Sequence, residues 1–400
     1  MTENATPSGE IIVHVFGRTD VGRTREHNED SFIVADLTTM NATLQPEVRE
    51  HRVGQRGSLF MVADGMGGAA AGEIASAMAT EVVLNELDQR WRNAPDATPE
   101  TFARALKSAT ETANARIHRY ASEHPENRGM GTTATIAGIL GDTLYLAQVG
   151  DSRGYLIRNG VARQITKDQS LMQKLVEAGE MTAEEAEVSE RRNIILQALG
   201  PEPIVKVDLT SQQVRRGDTL VLCSDGMSGQ MRATDIARVV SETPDLVEAC
   251  KKLIDLANEN GGPDNITVIA ARFDGEALSD PADGEEPQHQ VYASESDARA
   301  TVPVHASTID EFAPDTRADP EAITDEVPAV NGAPGAGEDA QGAAVPVVPE
   351  GMGATPPARS ANPASGAPGE RVPIGVLRLI FGAIAAIVAI YFILAALRKN

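Results

Sequence analysis

Cysteine is almost missing from this chain: Cys223 and Cys250 are the only two in 400 residues. Two thiols make no disulfide framework, and both sit in apolar patterns, so buried free thiols are expected. Basic residues are also short, 35 Lys and Arg against 58 Asp and Glu, for a formal net charge of −23. That deficit argues against a nucleic-acid partner, whose binding needs phosphates neutralised by Lys and Arg. No internal repeat is present. Met1 to Glu10 is polar and holds no apolar signal region, so the bulk of the chain is expected in the cytosol.

What is present is unevenly distributed. Residues 275–370 carry 18 acidic and 3 basic residues, net −15, with Tyr292 and Phe312 as their only aromatics. A segment so polar and charged cannot offset its ordering entropy, and is expected to be a disordered linker. The linker leads into an apolar run. Ile374 to Leu397 is apolar apart from Arg378, and the 19 residues from Leu379 to Leu397 carry no charge. At ~1.5 Å per residue those 19 would span about 28 Å as a helix, close to the hydrocarbon core of a bilayer. Apolar residues cover every face of that helix, unlike an amphipathic surface helix. Arg371 and Arg378 precede it and Arg398 and Lys399 follow, so flanking charge barely decides orientation. The expectation is a single-pass tail anchor at 371–400 in the cell membrane, with a cytoplasmic folded domain at 1–274.

Within that domain, Glu10 to Phe16, Ser31 to Ala35 and Ser58 to Ala63 read as strands, with Asp36 to Gly57 a loop between the last two. Ala70 to Arg92 has helical periodicity. Thr98-Pro99 starts a second helix, as N-cap and first helical residue, running to about Ser122. From Gly131 the pattern turns to strands at Thr132–Ile139, Thr143–Val149, Gly154–Ile157 and Val161–Ile165. Gly141-Asp142 and Asn159-Gly160 are hairpin turns. Ser170 to Leu199 reads as helical, with Gly179 and Gly200 as stops. Leu209, Leu220–Cys223 and Ile266–Phe273 supply later strands, and Thr234–Val240 and Asp245–Asn258 are helices. Strand meanders with separate helices point to an α+β sandwich of antiparallel sheets with helices outside.

Five short acidic motifs cross this pattern: Asn28-Glu29-Asp30, Asp64-Gly65-Met66-Gly67-Gly68, Gly150-Asp151-Ser152-Arg153, Ser224-Asp225-Gly226 and Gly262-Pro263-Asp264-Asn265. Asp64 and Asp225 each end an apolar run, Leu59–Ala63 and Leu220–Cys223. A carboxylate at the end of a core strand is costly unless something offsets its desolvation. Converging carboxylates with backbone carbonyls suit hard cations, Mg²⁺ or Mn²⁺. Zinc does not fit, since no His or Cys shares the motifs. Two such cations would ionise a bridging water and attract negative substrate oxygens. Arg25 offers the planar fork that matches a phosphate. Each motif alone is ordinary, because an isolated Asp-Gly is usually a turn. Their joint order carries the argument.

In that order the chain resembles the metal-dependent protein phosphatases of the phosphatase 2C type, in their bacterial branch. The matching stretches are Asp20-Val-Gly-Arg-Thr-Arg25-Glu-His-Asn-Glu-Asp30, Val62-Ala-Asp64-Gly-Met-Gly-Gly68, Gly131-Thr-Thr-Ala-Thr135, Gly150-Asp151-Ser-Arg153, Gln197-Ala-Leu-Gly200, Ser224-Asp225-Gly226 and Gly261-Gly-Pro-Asp264-Asn265, across about residues 10–274. The resemblance implies a four-layer α-β-β-α sandwich. It implies hydrolysis of phosphoserine and phosphothreonine by direct attack of water. By the same analogy Asp64 bridges two ions, Asp225 and Asp264 complete one shell, and the Gly65 carbonyl serves the other. Asp30 would hold a water on the metal and Arg25 the substrate phosphate. Asp151 with Asp225 matches a third, weaker ion site. Residues 170–200 would form a mobile flap. Phosphorylated proteins, a serine/threonine kinase among them, are the implied partners.

One position departs from the family. Bacterial relatives often carry a histidine, a candidate general acid, directly after Asp-Gly-Met-Gly-Gly; here Ala69 stands there. That departure favours one alternative, a catalytically weak or silent phosphoprotein-binding scaffold. A small-molecule phosphatase is a further alternative. The retained Asp30, Asp64, Asp225 and Asp264 favour an active enzyme.

Overall fold

The computed structural model describes residues 9–42, 50–67, 71–189 and 191–292. All of them lie in the first of the two units into which the chain divides, 1–309 and 310–400. The expected membrane span, Ala69 and the linker beyond Tyr292 fall outside the described residues. Among the described residues no helix is long and apolar enough to cross a membrane.

The elements follow in the order β1 (Ile12–Asp20), β2 (Asp30–Asp36), β3 (Glu50–Arg52), β4 (Ser58–Met66), α1 (Ala71–Glu86), α2 (Pro99–Glu123), β5 (Gly131–Thr132), β6 (Ala134–Leu140), β7 (Thr143–Val149), β8 (Arg153–Arg158), β9 (Val161–Gln164), α3 (Leu171–Glu177), α4 (Ala183–Glu187), β10 (Asp208–Gln213), β11 (Thr219–Cys223), α5 (Asp225–Ser228), α6 (Ala233–Glu242), α7 (Leu246–Glu259) and β12 (Ile266–Asp274). One sheet has the order β3-β1-β12-β11-β8-β9, the other β10-β7-β6-β4-β2, with β5 paired to β4. All of these pairings are antiparallel.

Three apolar interlayers hold the layers together. Ala75, Val83, Phe102 and Leu106 of α1 and α2 pack on Met61 and Ile136 of the second sheet. Phe60, Val62 and Leu146 meet Leu220, Leu222 and Phe273 between the sheets. Val221, Val268 and Ala270 turn outward against Ile236, Leu253 and Ile254 of α6 and α7. Alternate residues of β4 and β11 thus enter different interlayers, as the two-residue strand period requires. Both strands are buried on two faces, which explains their unbroken apolar runs. The expected four-layer α+β sandwich is present.

Three expectations are corrected. Residues 170–199 are helical only as far as Glu187, with the expected stop at Gly179. α3 ends before Gly179, whose φ is +72°, and α4 is capped by Thr182 and Glu185 in a reciprocal box. The rest pairs elsewhere: Leu199 and Thr132 exchange backbone hydrogen bonds of 2.8 and 3.0 Å. Tertiary pairing there outweighs helix propensity. The expected loop at 36–57 contains β3, which pairs with β1. The domain does not end at 274, since residues 275–292 pack back as a strap. Leu278 is buried, Glu285 bridges Arg158 and Arg215, and Tyr292 meets Tyr145 edge-on with ring centroids 5.6 Å apart.

Candidate active site

The acidic motifs gather at one end of the two sheets. β2 begins at Asp30, which lies opposite Asp64 near the end of β4. Asp151 sits in the turn from β7 to β8, Asp225 opens α5 after β11, and Asp264 precedes β12. Gly65 and Gly226 are required by crowding. A Cβ on Gly65 would meet the Glu29 carbonyl oxygen at 2.4 Å, and one on Gly226 the Asn265 carbonyl oxygen at 2.0 Å. No other residue lets the backbone pass so close.

Asp30 is buried and held rigidly. Its Oδ2 accepts hydrogen bonds from Ser224 Oγ at 2.8 Å and Thr267 Oγ1 at 2.6 Å. Its Oδ1 is equally buried and has no hydrogen-bond partner. Ser224 and Thr267 come from the other sheet, so this carboxylate is fixed across the sandwich. Asp64 is positioned through its backbone: its N–H donates to Thr133 Oγ1 at 3.0 Å, and its carbonyl accepts from Thr132 Oγ1 at 2.9 Å and from the Thr133 N–H at 2.8 Å. The Gly131-Thr-Thr stretch therefore serves as the brace for Asp64. Asn265 ties the loops together, accepting from the Glu29 N–H at 2.8 Å and donating to Val21 and His27 carbonyls at 2.9 Å.

Asp64, Asp151, Asp225 and Asp264 are half-buried. Desolvation, the largest cause, pushes the Asp64 carboxyl well above the usual carboxylate range, and the charges of Asp30, Asp225, Asp151 and Asp264 push it further. Desolvation raises Asp30 to about 7, against the pull of its two hydroxyl donors. Asp151 rises to about 8, by desolvation and then the charge of Asp225. Asp225 is raised in the same way, by desolvation and then Asp264. The five aspartates thus form one electrostatic unit with more negative charge than the fold neutralises. They ring the cleft rather than close on a point: among the described residues, no three His, Cys, Asp or Glu side chains form a ready ligand set for a metal ion.

The donors nevertheless suit a hard cation. They are oxygens only, burial and mutual repulsion disfavour the charged forms of Asp30, Asp64, Asp151 and Asp225, and one buried oxygen of Asp30 lacks a partner. Arg25 stands where expected but is not idle, since its Nη2 donates to Asp264 Oδ2 at 2.8 Å. A cavity of about 200 Å³ joins Arg25, Asp151, Asp225 and Asp264 to Arg192, which follows α4. Arg153, beside Asp151, is fixed by Asp168 through contacts of 2.9 and 2.7 Å. The roles of Ser224 and Thr267 were not foreseen: Ser224 stands in a motif read only for Asp225, Thr267 in a plain strand, and their bonds to Asp30 appear only once β11 and β12 are set beside β2.

Comparison with known proteins agrees with this geometry. Residues 42–266 match the family model described as protein phosphatase 2C. The serine/threonine phosphatase stp of Listeria monocytogenes is 38% identical over 263 residues, spanning 66% of this chain and 96% of its own length. The serine/threonine protein phosphatase PstP of Mycobacterium tuberculosis is 37% identical over 262 residues, 65% of this chain and 45% of its own. A crystal structure of the PstP catalytic domain, in complex with two manganese ions, superposes with a TM-score of 0.54 at 35% identity, covering 66% of this chain and 99% of that one. The chain belongs to the protein phosphatase 2C family.

Proposed function

We propose that this protein removes phosphate from phosphoserine and phosphothreonine on proteins, with Mn²⁺ or Mg²⁺ held by the cleft aspartates. The observation that carries the reading is the ring of raised carboxylates around the unpartnered Oδ1 of Asp30. Asp64 would be shared between two ions, Asp225 and Asp264 would complete one shell, and the Gly65 carbonyl would serve the other. Asp151 with Asp225 would offer a third, weaker site. When bound, the ions supply a nucleophilic water at neutral pH and offset the charge on the phosphate.

The chain's own residues do the positioning. Ser224 and Thr267 hold Asp30 through Oδ2, which would leave Oδ1 to accept a hydrogen bond from a water beside the ions. Thr132 and Thr133 fix the Asp64 backbone. Arg25 keeps further N–H donors beside the one given to Asp264, and these can take phosphate oxygens as a fork. Asp264 in turn holds the guanidinium at the cleft mouth.

The leaving alkoxide needs a proton, and Ala69 and Met66 offer none. General acid help is worth ~10²–10⁴-fold. Aryl phosphates, whose leaving group needs no such help, should be hydrolysed well, and phosphothreonine peptides more slowly than in relatives with the histidine. Comparable rates on both, with an ordinary pH profile, would reject this assignment.

The apolar run at 379–397 supports a membrane tether, with the catalytic domain in the cytoplasm acting on membrane-bound phosphoproteins such as receptor-like kinases. A connection of the 78 residues 293–370 would reach ~45–55 Å on the Gly-rich scale, and would raise local concentration near such substrates. Since the strap belongs to the domain, the truncation that tests tethering ends at Tyr292. It should leave the membrane fraction and dephosphorylate membrane substrates in cells less completely than the full chain. Full restoration of that dephosphorylation by the truncated chain refutes the tether. For the activity, Mn²⁺-dependent hydrolysis of p-nitrophenyl phosphate and of a phosphothreonine protein should both disappear in Asp225→Ala. Retention of both would refute the site.

A further inference from the structure

A second cavity lies away from the cleft aspartates. It measures about 940 Å³ and runs between residues 204–209, Leu196 at the root of the flap, and the strap at Val291 and Tyr292. Ile204 is 85% exposed, Val291 74% and Leu196 48%. Three of the seven exposed large apolar side chains among the described residues thus line one groove, and such clustering marks a binding surface.

β10 is the outer strand of its sheet, and the strap adds one antiparallel step to it. Thr210 lies opposite Val291. The Ser211 N–H donates to the Gln290 carbonyl, and the Tyr292 N–H to the Leu209 carbonyl, both at 2.9 Å. In this register each residue forward along the strap meets one residue back along β10. Were it continued past Tyr292, it would set Ser294 opposite Val207, Glu295 opposite Lys206 and Asp297 opposite Ile204. Backbone groups alternate in direction along a strand, so Val205 and Val207 aim theirs to the same side as Leu209 and Ser211. Among the described residues neither valine has a backbone hydrogen bond. Lys206 extends its ammonium from the same edge, with a side chain 79% exposed and Asp208 at 3.1 Å.

We propose that the chain following Tyr292 seats in this groove: residues 293–297 lengthen the sheet as a strand along 204–208, Glu295 faces Lys206, and Val302 and Val304 cover Leu196 and Ile204. The occupant is this chain because its exit point, Tyr292, already lies in the groove in the correct register. A covalent connection of a few residues also gives an effective concentration in the millimolar range. Strand addition supplies main-chain hydrogen bonds, and alternate side chains supply the selectivity.

The groove communicates with the active site through Gln169. Its Nε2 donates to Asp208 Oδ2 at 2.9 Å, its Oε1 accepts from the Gly150 N–H at 3.0 Å, and its carbonyl accepts from the Leu196 N–H at 2.7 Å. A segment seated on Leu196 and along 204–208 therefore presses on the root of the flap and on the residue before Asp151. The contact is a latch between the chain that follows Tyr292 and the root of the flap.

Hydrogen exchange on the full chain in detergent micelles tests the latch. The amides of residues 294, 296, 205 and 207 should exchange at least tenfold more slowly in the wild type than in Glu295→Lys or Val302→Asp. The double variant Lys206→Glu/Glu295→Lys should restore the protection lost in Glu295→Lys. Wild-type exchange as fast as in Glu295→Lys overturns the proposal. Protection that grows with protein concentration, assigning the groove to a second copy, overturns it too. So does protection of 205 and 207 that Glu295→Lys leaves intact, which assigns the groove to another protein. None of these variants touches the aspartates, so Mn²⁺-dependent hydrolysis of p-nitrophenyl phosphate should persist in all of them, and a failure of the phosphatase reading is seen separately.

Discussion

At one end of β8, Arg153 stands beside Asp151 and the other cleft carboxylates; at the opposite end, Arg158 forms an ion pair with Asp218 at 2.7 Å, both side chains 1% exposed. The Arg158 pair is balanced within the chain. Its guanidinium also reaches Glu285 at 2.8 Å and the Gln213 carbonyl at 2.8 Å. The Asp218 carboxylate accepts from the Arg215 N–H as well. Burial pushes Asp218 up, and Arg158 and the Arg215 N–H pull it back. At the cleft end, aspartates face aspartates, and desolvation and mutual repulsion act in the same direction. Removing one carboxylate should therefore have opposite consequences at the two ends: relief of strain in the cleft, collapse of a closed network at Arg158.

The largest effect separates the ends by activity. Asp64→Asn should lower turnover of p-nitrophenyl phosphate by at least about 10³-fold, as loss of a central electrostatic group does. The same variant, stripped of metal, should melt higher than the stripped wild type. A lower melting temperature would break the comparison. Next, Arg158→Ala should cost about 3–5 kcal/mol in urea denaturation by stranding Asp218, while Mn²⁺ affinity stays at the wild-type value. A fall in Mn²⁺ affinity would mean that the two ends are coupled.

A third effect is in pH dependence. Asp30, at about 7, and Asp151, at about 8, hold protons in the metal-free fold that the unfolded chain releases near ~4. The native state binds more protons across that window, so metal-free stability falls as pH rises from about 4 to about 8. With EDTA the melting temperature should drop by at least about 5 °C between pH 5.5 and 8; saturating Mn²⁺ should remove the drop. A pH-independent melting temperature in EDTA contradicts the raised carboxyls. The smallest effect sharpens the site itself. Ser224→Ala removes one of two hydroxyls on Asp30 Oδ2 and should weaken Mn²⁺ binding or activity by roughly 10–100-fold, the usual cost of a group that orients a ligand.

Much of this was readable from the chain. Leu59–Ala63 and Leu220–Cys223 are apolar at every position because each strand is covered on both faces. Thr98 caps α2 as its position before Pro99 implied. Asp64 and Asp225 could be read because they end such runs, and the other three through the joint order of the motifs. What could not be read was set by distant partners. Ile195 and Leu199 leave the helical pattern to pair with Ser170 and Thr132. Residues 275–292 have the composition of a linker, yet Glu285 is claimed by two arginines more than 60 residues away. Arg25 was recognisable only as a candidate phosphate ligand, whereas its bond to Asp264 depends on loops 239 residues apart meeting at the cleft.

The most direct measurement is calorimetric titration of the metal-stripped protein with Mn²⁺ at pH 7.5, in buffers of different ionisation heat. Uptake of at least two ions, with protons released as they displace those held by Asp30 and Asp151, and loss of that uptake in Asp64→Asn, is the predicted result. No ion uptake, or uptake that Asp64→Asn leaves unchanged, would contradict the account.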